Sequence, residues 1–394
     1  MTLNESGPGP YGARLILNGG SSTLKFALYQ GETRRLRGTL ERIGGAPRLR
    51  LGEAPAGLVP PATIEAPDTP AAAAALLDWL EPSGELAHLE AIVHRIVHGG
   101  RDFAAPVVLD QATLSRLEAL SPLAPLHQPQ ALAVVRACRE RLPGTRQIGC
   151  FDTAFHRRQP RLHQLFGLPR ALSDEGILRY GFHGLSYAYI ARRLRALEGD
   201  EAGGRTIVAH LGQGASLCAM HQGESRATTM GFTALDGLMM GRRCGALDPG
   251  VLLYLQQQRG WDAARIERLL YQESGLLGVS GHSDDMRDLL ASHEPACQEA
   301  VDLFVHRILR EIGALVAVLG GLDTLVFTAG IGEHATPVRQ RVCDQLGWLG
   351  VELDPRRNAE QGPRLDRGRG PRLWVLATDE EAEMNQAAAA LLKA

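Results

Sequence analysis

"LILNGGSSTLKFALY" (residues 15–29) sets two apolar, strand-like runs around a knot of Gly, Gly, Ser, Ser and Thr, with a lone lysine at position 25. Two readings fit it. Asn-Gly between alternating runs is the favoured signal for a type I′ hairpin. The same glycines would let a phosphate approach the backbone, with clustered N–H groups forming an anion nest and Ser/Thr hydroxyls adding donors. Lys25 lies two residues after Thr23, on the same strand face, within reach of a terminal phosphate. The stretch is not a Walker A loop, which needs GxxxxGK[ST] entering a helix; here the lysine sits on the second strand. Under either reading the fold opens with paired strands.

Outward from this hairpin, strand-like and helix-like stretches alternate. "AAAAALLDWLE" reads as helix, "EAIVHRIVHGG" as a buried strand ended by glycines, "QALAVVRACRERL" as helix, and "RQIGCFDTAF" as a strand entering a loop. The helix "YAYIARRLRALEG" follows, and then "TIVAHLGQGASLCAMHQG" repeats the pattern of strand, glycine turn and strand. The long amphipathic run "CQEAVDLFVHRILREIGALVAVLGG" leads into the strand "TLVFTAG". Such alternation predicts an α/β fold. With one residue gapped, residues 23–32 (TLKFALYQGE) line up with residues 216–224 (SLCAMHQGE). Two halves that open with one hairpin suggest a duplicated fold, with a boundary near "GCFDTAF".

The 394 residues suffice for two domains with real cores; 44% are hydrophobic and 22% charged, as in soluble globular proteins. A net charge of −2 supplies no basic field for nucleic acid or an anionic membrane. The longest charge-free apolar stretch of the C-terminal half, residues 312–322, is too short to span a bilayer. Residues 1–14 are polar, contain Gly and Pro, and read as a disordered leader rather than a secretory signal. The six cysteines are scattered singly with no CxxC pair, which points to the reducing cytoplasm. The thirteen histidines show no HExxH or comparable zinc spacing.

Several clusters could carry chemistry. Arg95 lies inside an apolar strand and needs an anionic partner, either a protein carboxylate or a substrate anion. Asp152 follows a strand, where α/β proteins gather ligand groups. His183 sits between glycines ahead of a helix. "TTMGFTALDGLMMGRRCGALDPG" is dense in glycine and methionine and holds Arg242 and Arg243, a composition that suggests a lining or moving segment. "LVFTAGIGEH" is a strand ending in a small-residue loop suited to a flat base or a ribose.

Taken in order, "NGGSSTLK", "HRIVHGG", "FDTAFH", "RYGFHG", "HLGQGAS", "MGFTALDGLMMG", "LDPG", "SGLLGVSG", "FTAGIGE" and "TDEE" resemble the acetate kinase family at about its spacing, from residue 15 to the C-terminus. That family includes propionate and butyrate kinases and belongs to the actin, Hsp70 and sugar-kinase superfamily. The resemblance implies an α/β fold of two duplicated ribonuclease-H-like domains, with ATP and substrate in the cleft between them. The expected parts are a leader over 1–14, an N-terminal domain over 15–150 and a nucleotide-binding domain over 151–380. A C-terminal helix over about 381–394 would pack back on the first domain. The implied activity is reversible transfer of the ATP γ-phosphoryl to acetate, giving acetyl phosphate and ADP, in a cytoplasmic homodimer without nucleic-acid or membrane partners.

A carboxylate is already a nucleophile, so this reaction needs charge neutralisation rather than a general base. By resemblance, Arg95 grips the substrate carboxylate, with His127 a further active-site histidine, while Arg243 and His183 stabilise the moving phosphoryl. Asp152 matches the catalytic aspartate and is expected to orient an arginine or a metal-bound water. Asn18 and Glu380 match the Mg²⁺ positions. Lys25, Ser21 and Thr23 match the β/γ-phosphate contacts. The nucleotide segments correspond to His210, Leu211, Gly212, Gln213 and Gly214, to Asp285, Met286 and Arg287, and to Gly330, Ile331, Gly332, Glu333 and His334.

The chain departs from the family pattern at Gln128, Gln213 and His334 (each for Asn), Ala227 and Ala246 (each for Asp), Leu185 (for Thr), Tyr187 (for His) and Arg242 (for Thr). These changes bear on acyl-chain size and nucleotide preference. A non-catalytic ATP clamp and a sugar kinase are the readings of other classes. A clamp needs no second anion site at Arg95, and a sugar hydroxyl would need a true base.

Overall fold

The structure, a computed structural model, describes residues 12–393 except Ser21 and Leu126. Most of the expected leader and the phosphate contact at Ser21 therefore lie outside the described residues. The chain divides into two compact units: one runs to Ala154 and takes in the segment from Asp379 onward, and the other is Phe155–Thr378.

The first unit is built on Ala13–Gly19 (β1), Thr23–Gln30 (β2), Thr33–Glu41 (β3), Arg48–Glu53 (β4), Leu89–Ile96 (β5), Val107–Val108 (β6) and Arg146–Phe151 (β7). These form one sheet in the order β4-β3-β2-β1-β5-β7-β6. β1 pairs antiparallel with β2 and parallel with β5, and β5 pairs parallel with β7. Because β1 is covered on both faces, its residues form a nearly continuous apolar run.

Strand parity then distributes the side chains. Leu15 and Leu17 join a core with Leu76 and Leu77 of the helix Thr69–Leu80 and with Val134 of the helix Gln128–Arg141. The alternate residues Arg14 and Asn18 turn to the opposite face, where the helix Glu380–Lys393 lies. Arg14 Nε donates to Asn385 Oδ1 at 2.8 Å, and Asn18 Nδ2 donates to Glu381 Oε1 at 2.8 Å.

The opening hairpin is not the type I′ turn that Asn-Gly suggests. Asn18 and Gly19 belong to β1, paired with Lys25 and Leu24, and neither Gly19 nor Gly20 adopts left-handed backbone. The chain turns after Gly19, where Gly20 N–H donates to the Thr23 carbonyl at 2.7 Å.

The second unit is built on Thr206–Leu211 (β8), Ala215–His221 (β9), Glu224–Thr228 (β10), Thr324–Thr328 (β11) and Arg372–Val375 (β12), ordered β10-β9-β8-β11-β12. β8, β9 and β10 form an antiparallel meander, and β11 lies parallel to β8 and β12. The first unit's β3-β2-β1-β5-β7 has the same order and directions, so the echo between residues 23–32 and 216–224 marks a duplicated architecture. The helix Pro295–Leu319 buries Cys297, Val301, Phe304, Ile308, Ile312 and Leu315 at helical spacing and packs on β8, β9 and β10. Tyr187, Ile190 and Leu194 of the helix Gly184–Glu198 form a core with Val208, Cys218 and Val326.

Residues 229–248 contain no regular element. Their methionines do not line a surface as the composition suggested: Met230, Met239 and Met240 are buried and anchor the segment. Gly245, at φ 72°, passes so close to the Leu238 carbonyl that a side chain there would collide with it. Among the described residues no helix is long and apolar enough to cross a membrane.

Candidate active site

In the first unit, charged groups gather where β1, β5 and β7 end. Register places Arg95 opposite Cys150, so Asp152, two residues on, falls on the same face. Arg95 Nε donates to Asp152 Oδ1 at 2.9 Å, and Nη2 donates to Oδ2 at 2.5 Å. Nη1 reaches Asn18 Oδ1 at 3.3 Å, and Asn18 Nδ2 donates to Glu380 Oε2 at 2.9 Å. A guanidinium has five N–H donors; these bonds engage three of them and leave two for a further acceptor. Burial opposes the charge on Arg95, but Asp152, with Glu380 behind it, more than restores it and leaves the pKa raised. Burial pushes the Asp152 carboxyl up while contact with Arg95 pulls it back toward the ionised form. Both possibilities open for Arg95 thus have a basis: a protein carboxylate holds it, and its side chain remains 19% exposed.

Arg95, Gly19, Gly20, Val97 and His127 line one small recess. Gln128, fully buried, accepts from His98 N–H and donates to the His98 and Leu117 carbonyls, stitching the loop after β5 to the helix that His127 begins. Lys25 is exposed, and its charge, with the Asn18 bond, partly offsets the upward push of burial and Glu380 on the Glu381 carboxyl. Asn18 turns its Nδ2 donors to Glu380 and Glu381 and its Oδ1 to Arg95, so the hard oxygen donors gathered here are the two carboxylates. That set fits Mg²⁺, which takes one or two carboxylates and completes its shell with water and phosphate oxygens.

In the second unit the turn Gly212–Gly214 between β8 and β9 is the organising point. A Cβ at Gly214 would lie 2.5 Å from Arg243 Nη2 and 3.4 Å from His183 Nε2, so only glycine lets both groups converge there. Arg243 Nη1 donates to the Ala234 carbonyl at 2.5 Å. Among the described residues it has no carboxylate partner, and burial pushes its pKa down. His183 caps the helix Gly184–Glu198 in left-handed backbone, φ 58° and ψ 22°, and stacks on His210 with ring centroids 4.1 Å apart. Its Nδ1 lies 2.9 Å from Ser216 Oγ, which is 2.5 Å from Tyr187 Oη. His210 Nδ1 lies 2.8 Å from Ser186 Oγ, to which Thr378 Oγ1 donates at 2.9 Å.

The other segments expected to hold the nucleotide border the same turn. Gly212 packs against Ala329, and Gly332 against Leu211 and the Ala209 carbonyl. Ala329 holds left-handed backbone, φ 64°, and its N–H donates to Glu333 Oε1, which also accepts from Thr378 N–H. Fully buried Arg339 donates to the Gly332 and Glu333 carbonyls, fixing the short helix Ala329–His334 from beneath. His334 is exposed. Gln213 reaches the Asp284 carbonyl at 3.3 Å, while Asp285 caps the helix Met286–Ala291 and pairs with exposed Arg287. Arg242 points away to an ion pair with Asp284.

Reading the sequence for charges and glycines missed Glu381, Ser216, Ser186 and Thr378. Ser216, Thr378 and Glu381 lay inside the quoted stretches "HLGQGAS" and "TDEE" without being singled out, whereas Ser186 lay just beyond "RYGFHG" and carried no signal.

The Acetokinase family model matches residues 13–386. The chain is 50% identical over 379 residues to an acetate kinase of Rhodopseudomonas palustris (strain TIE-1), covering 93% of this chain and 95% of that one. It is 46% identical over 393 residues to an acetate kinase of Methylocella silvestris, covering 96% and 97%. Among solved structures it resembles a propionate kinase from Francisella tularensis subsp. tularensis SCHU S4, with TM-score 0.88, 32% identity and 95% and 98% coverage. It also resembles the Porphyromonas gingivalis acetate kinase, with TM-score 0.85, 33% identity and 97% and 100% coverage.

Proposed function

The chain belongs to the acetokinase family, and we propose that its two charge clusters divide one direct phosphoryl transfer between them. It is an acetate kinase, moving the γ-phosphoryl of ATP reversibly to acetate to give acetyl phosphate and ADP. An acetate oxygen bonds to the γ-phosphorus as the bond to the bridging oxygen breaks, and ADP departs with that electron pair. No proton need be removed, which suits an Asp152 committed to Arg95.

In this reading the free edge of Arg95 takes the acetate carboxylate in the recess with His127. Asp152 holds the guanidinium in plane and charged. Gly212–Gly214, Gly330–His334 and Asp285–Arg287 hold the nucleotide, and Lys25 and Thr23 meet its outer phosphates. Arg243 and His183 meet the phosphoryl in flight. Glu380, beside Asn18, would hold Mg²⁺, which when bound neutralises β/γ-phosphate charge.

The observation that carries this reading is Arg243, a guanidinium lowered in pKa by burial, without a carboxylate partner among the described residues, converging with His183 on a bare Gly214. Such a group is stabilised by an anion that arrives during the reaction. Trapping the acyl phosphate with hydroxylamine, using ATP and acetate, propionate or butyrate, tests the reading. Acetate is expected to give the fastest product. Faster turnover of propionate would move the assignment to the neighbouring activity, and no product with any of the three would remove it.

The expected homodimer is supported by the helix Pro249–Arg259, which buries none of its residues and exposes Val251, Leu253 and Tyr254, with Leu247 just ahead of it. Light scattering that returned a monomer mass would refute it. Six free cysteines fit a cytoplasmic setting.

A further inference from the structure

Ser216 lies between two groups that each need something from it. Its hydroxyl has one proton to give and lone pairs to receive. Tyr187 Oη is fully buried, and Ser216 Oγ is its hydrogen-bond partner among the described residues. If Ser216 donated to Tyr187, the phenolic proton would be stranded in the core, a costly arrangement. The phenol must therefore donate to Ser216. Among the described residues the serine proton then goes to His183 Nδ1 at 2.9 Å. An Nδ1 that accepts leaves the proton of the neutral imidazole on Nε2. Nε2 is the nitrogen beside Gly214, next to Arg243 Nη2.

We propose that Tyr187 is a positioning residue for the phosphoryl transfer: through Ser216 it holds His183 as the Nε2–H tautomer, with that N–H presented beside Arg243. The inference rests on the acetate kinase reading above for its consequence, and on the hydrogen-bond geometry alone for the tautomer. Burial raises the Tyr187 pKa well above its ordinary value, so the phenol stays a donor across the working range. The family pattern expects histidine at this position, and that side chain would titrate near neutrality.

A second relay runs parallel to the first. Thr378 donates to Ser186, which faces His210 Nδ1, and the two imidazoles stack with an interplanar angle of 20°. Each ring is thus fixed at Nδ1 by a chain of two hydroxyls. Two positive rings so close would repel, and both relays favour the neutral forms.

The test uses the whole protein with histidine labelled in the ring nitrogens, assigned by subtracting the spectrum of His183→Gln. At about pH 8, above the ordinary imidazole range, His183 Nδ1 is expected as an unprotonated, hydrogen-bonded nitrogen and Nε2 as the protonated one. Tyr187→Phe is expected to move the Nδ1 resonance although it touches the ring only through Ser216. It should also lower kcat about fivefold, while KM for ATP and for acetate stays within about threefold. Ser216→Ala should move the same signal further and cost about tenfold or more, short of the roughly hundredfold seen when a transition-state donor is removed outright.

A wild-type His183 protonated on Nδ1 overturns the proposal. So does a Tyr187→Phe protein with both signal and kcat unchanged. The nitrogen spectrum is read on the resting protein, so absence of acyl phosphate formation would void the acetate kinase reading without touching the relay.

Discussion

Replacing Arg243 with methionine should slow the enzyme and leave the unliganded protein as stable or more stable. Methionine keeps most of the side-chain volume and removes the charge. Arginines that meet a transferring phosphoryl contribute roughly 10³–10⁵ in rate, or about 4–7 kcal/mol of barrier. The charge matters most as the phosphoryl moves, so KM for ATP should change by no more than about threefold. Stability follows the opposite logic. The guanidinium is held by one carbonyl, Ala234, with no carboxylate among the described residues, and burial already disfavours its charge. Exchanging a poorly compensated buried charge for an apolar side chain is often neutral or stabilising by about 1–4 kcal/mol. Loss of the Ala234 bond returns about 1 kcal/mol of that. A net gain of about 0–3 kcal/mol, at about 2–4 °C per kcal/mol for a unit of this size, would raise Tm by up to about 12 °C. Turnover by hydroxylamine trapping and calorimetry without nucleotide are the two measurements. Turnover within tenfold of wild type, or a loss of several degrees in Tm, would refute the reasoning.

Gly214→Ala should cost about a hundredfold in kcat with Tm nearly unchanged, because its Cβ would meet the mobile end of Arg243 at 2.5 Å and displace it from the site; steady-state rates with a melting curve check this. Asp152→Asn keeps the shape beside Arg95 but removes the opposing charge, so KM for acetate should rise along with a fall in kcat. The kcat–pH profile should not lose an acid limb in that variant, as it would if Asp152 were a general base; the profile decides. His94 and His156 are buried, and burial lowers each pKa to about 4 from an ordinary 6.5. Their contribution is fully present above pH 6.5 and lost as pH falls toward 4, because only the unfolded chain takes up protons readily in that window. Each site contributes up to about 3 kcal/mol there. Urea midpoints at pH 7 and 4.5 should fall less for His156→Gln than for wild type.

The elements legible in the sequence are those buried on both faces. β8 and β11 are largely apolar, and β1 and β5 are apolar runs interrupted by Arg14 and Asn18 and by Glu90, His94 and Arg95, because neighbouring strands and helices cover them. β3 escaped notice although Leu36, Gly38 and Leu40 alternate inward, since Arg34, Arg35 and Arg37 crowd its first half. β10 and β12 are edge strands of five and four residues, held by a ladder whose other side is elsewhere in the chain. The site divides in the same way. Its charges stand out singly because a charge in an apolar run demands an explanation. Its hydroxyls do not: Ser216, Ser186 and Thr378 are ordinary residues until folding sets them beside His183 and His210. The methionines of residues 229–248 misled for a related reason. Composition there resembles a mobile lining, whereas burial of Met230, Met239 and Met240 pins the segment and aims Arg243.

In the proposed transfer, Arg95 and Arg243 supply two kinds of positive charge. Arg95 must be fully formed before the substrate arrives, because a carboxylate bound to a wandering cation would not be held in line for attack. Asp152 supplies that rigidity with two bonds, yet leaves donors unused for the acceptor. A similar partner on Arg243 would defeat its purpose. A carboxylate there would neutralise the guanidinium in the ground state and repel the phosphoryl it is meant to meet. Among the described residues Arg243 instead has one carbonyl partner and a glycine-cleared space, so in the proposed transfer its charge is compensated best as the phosphoryl moves. Ala246 stands where the family pattern expects an aspartate, and its backbone N–H closes the loop on the Gly237 carbonyl at 2.9 Å.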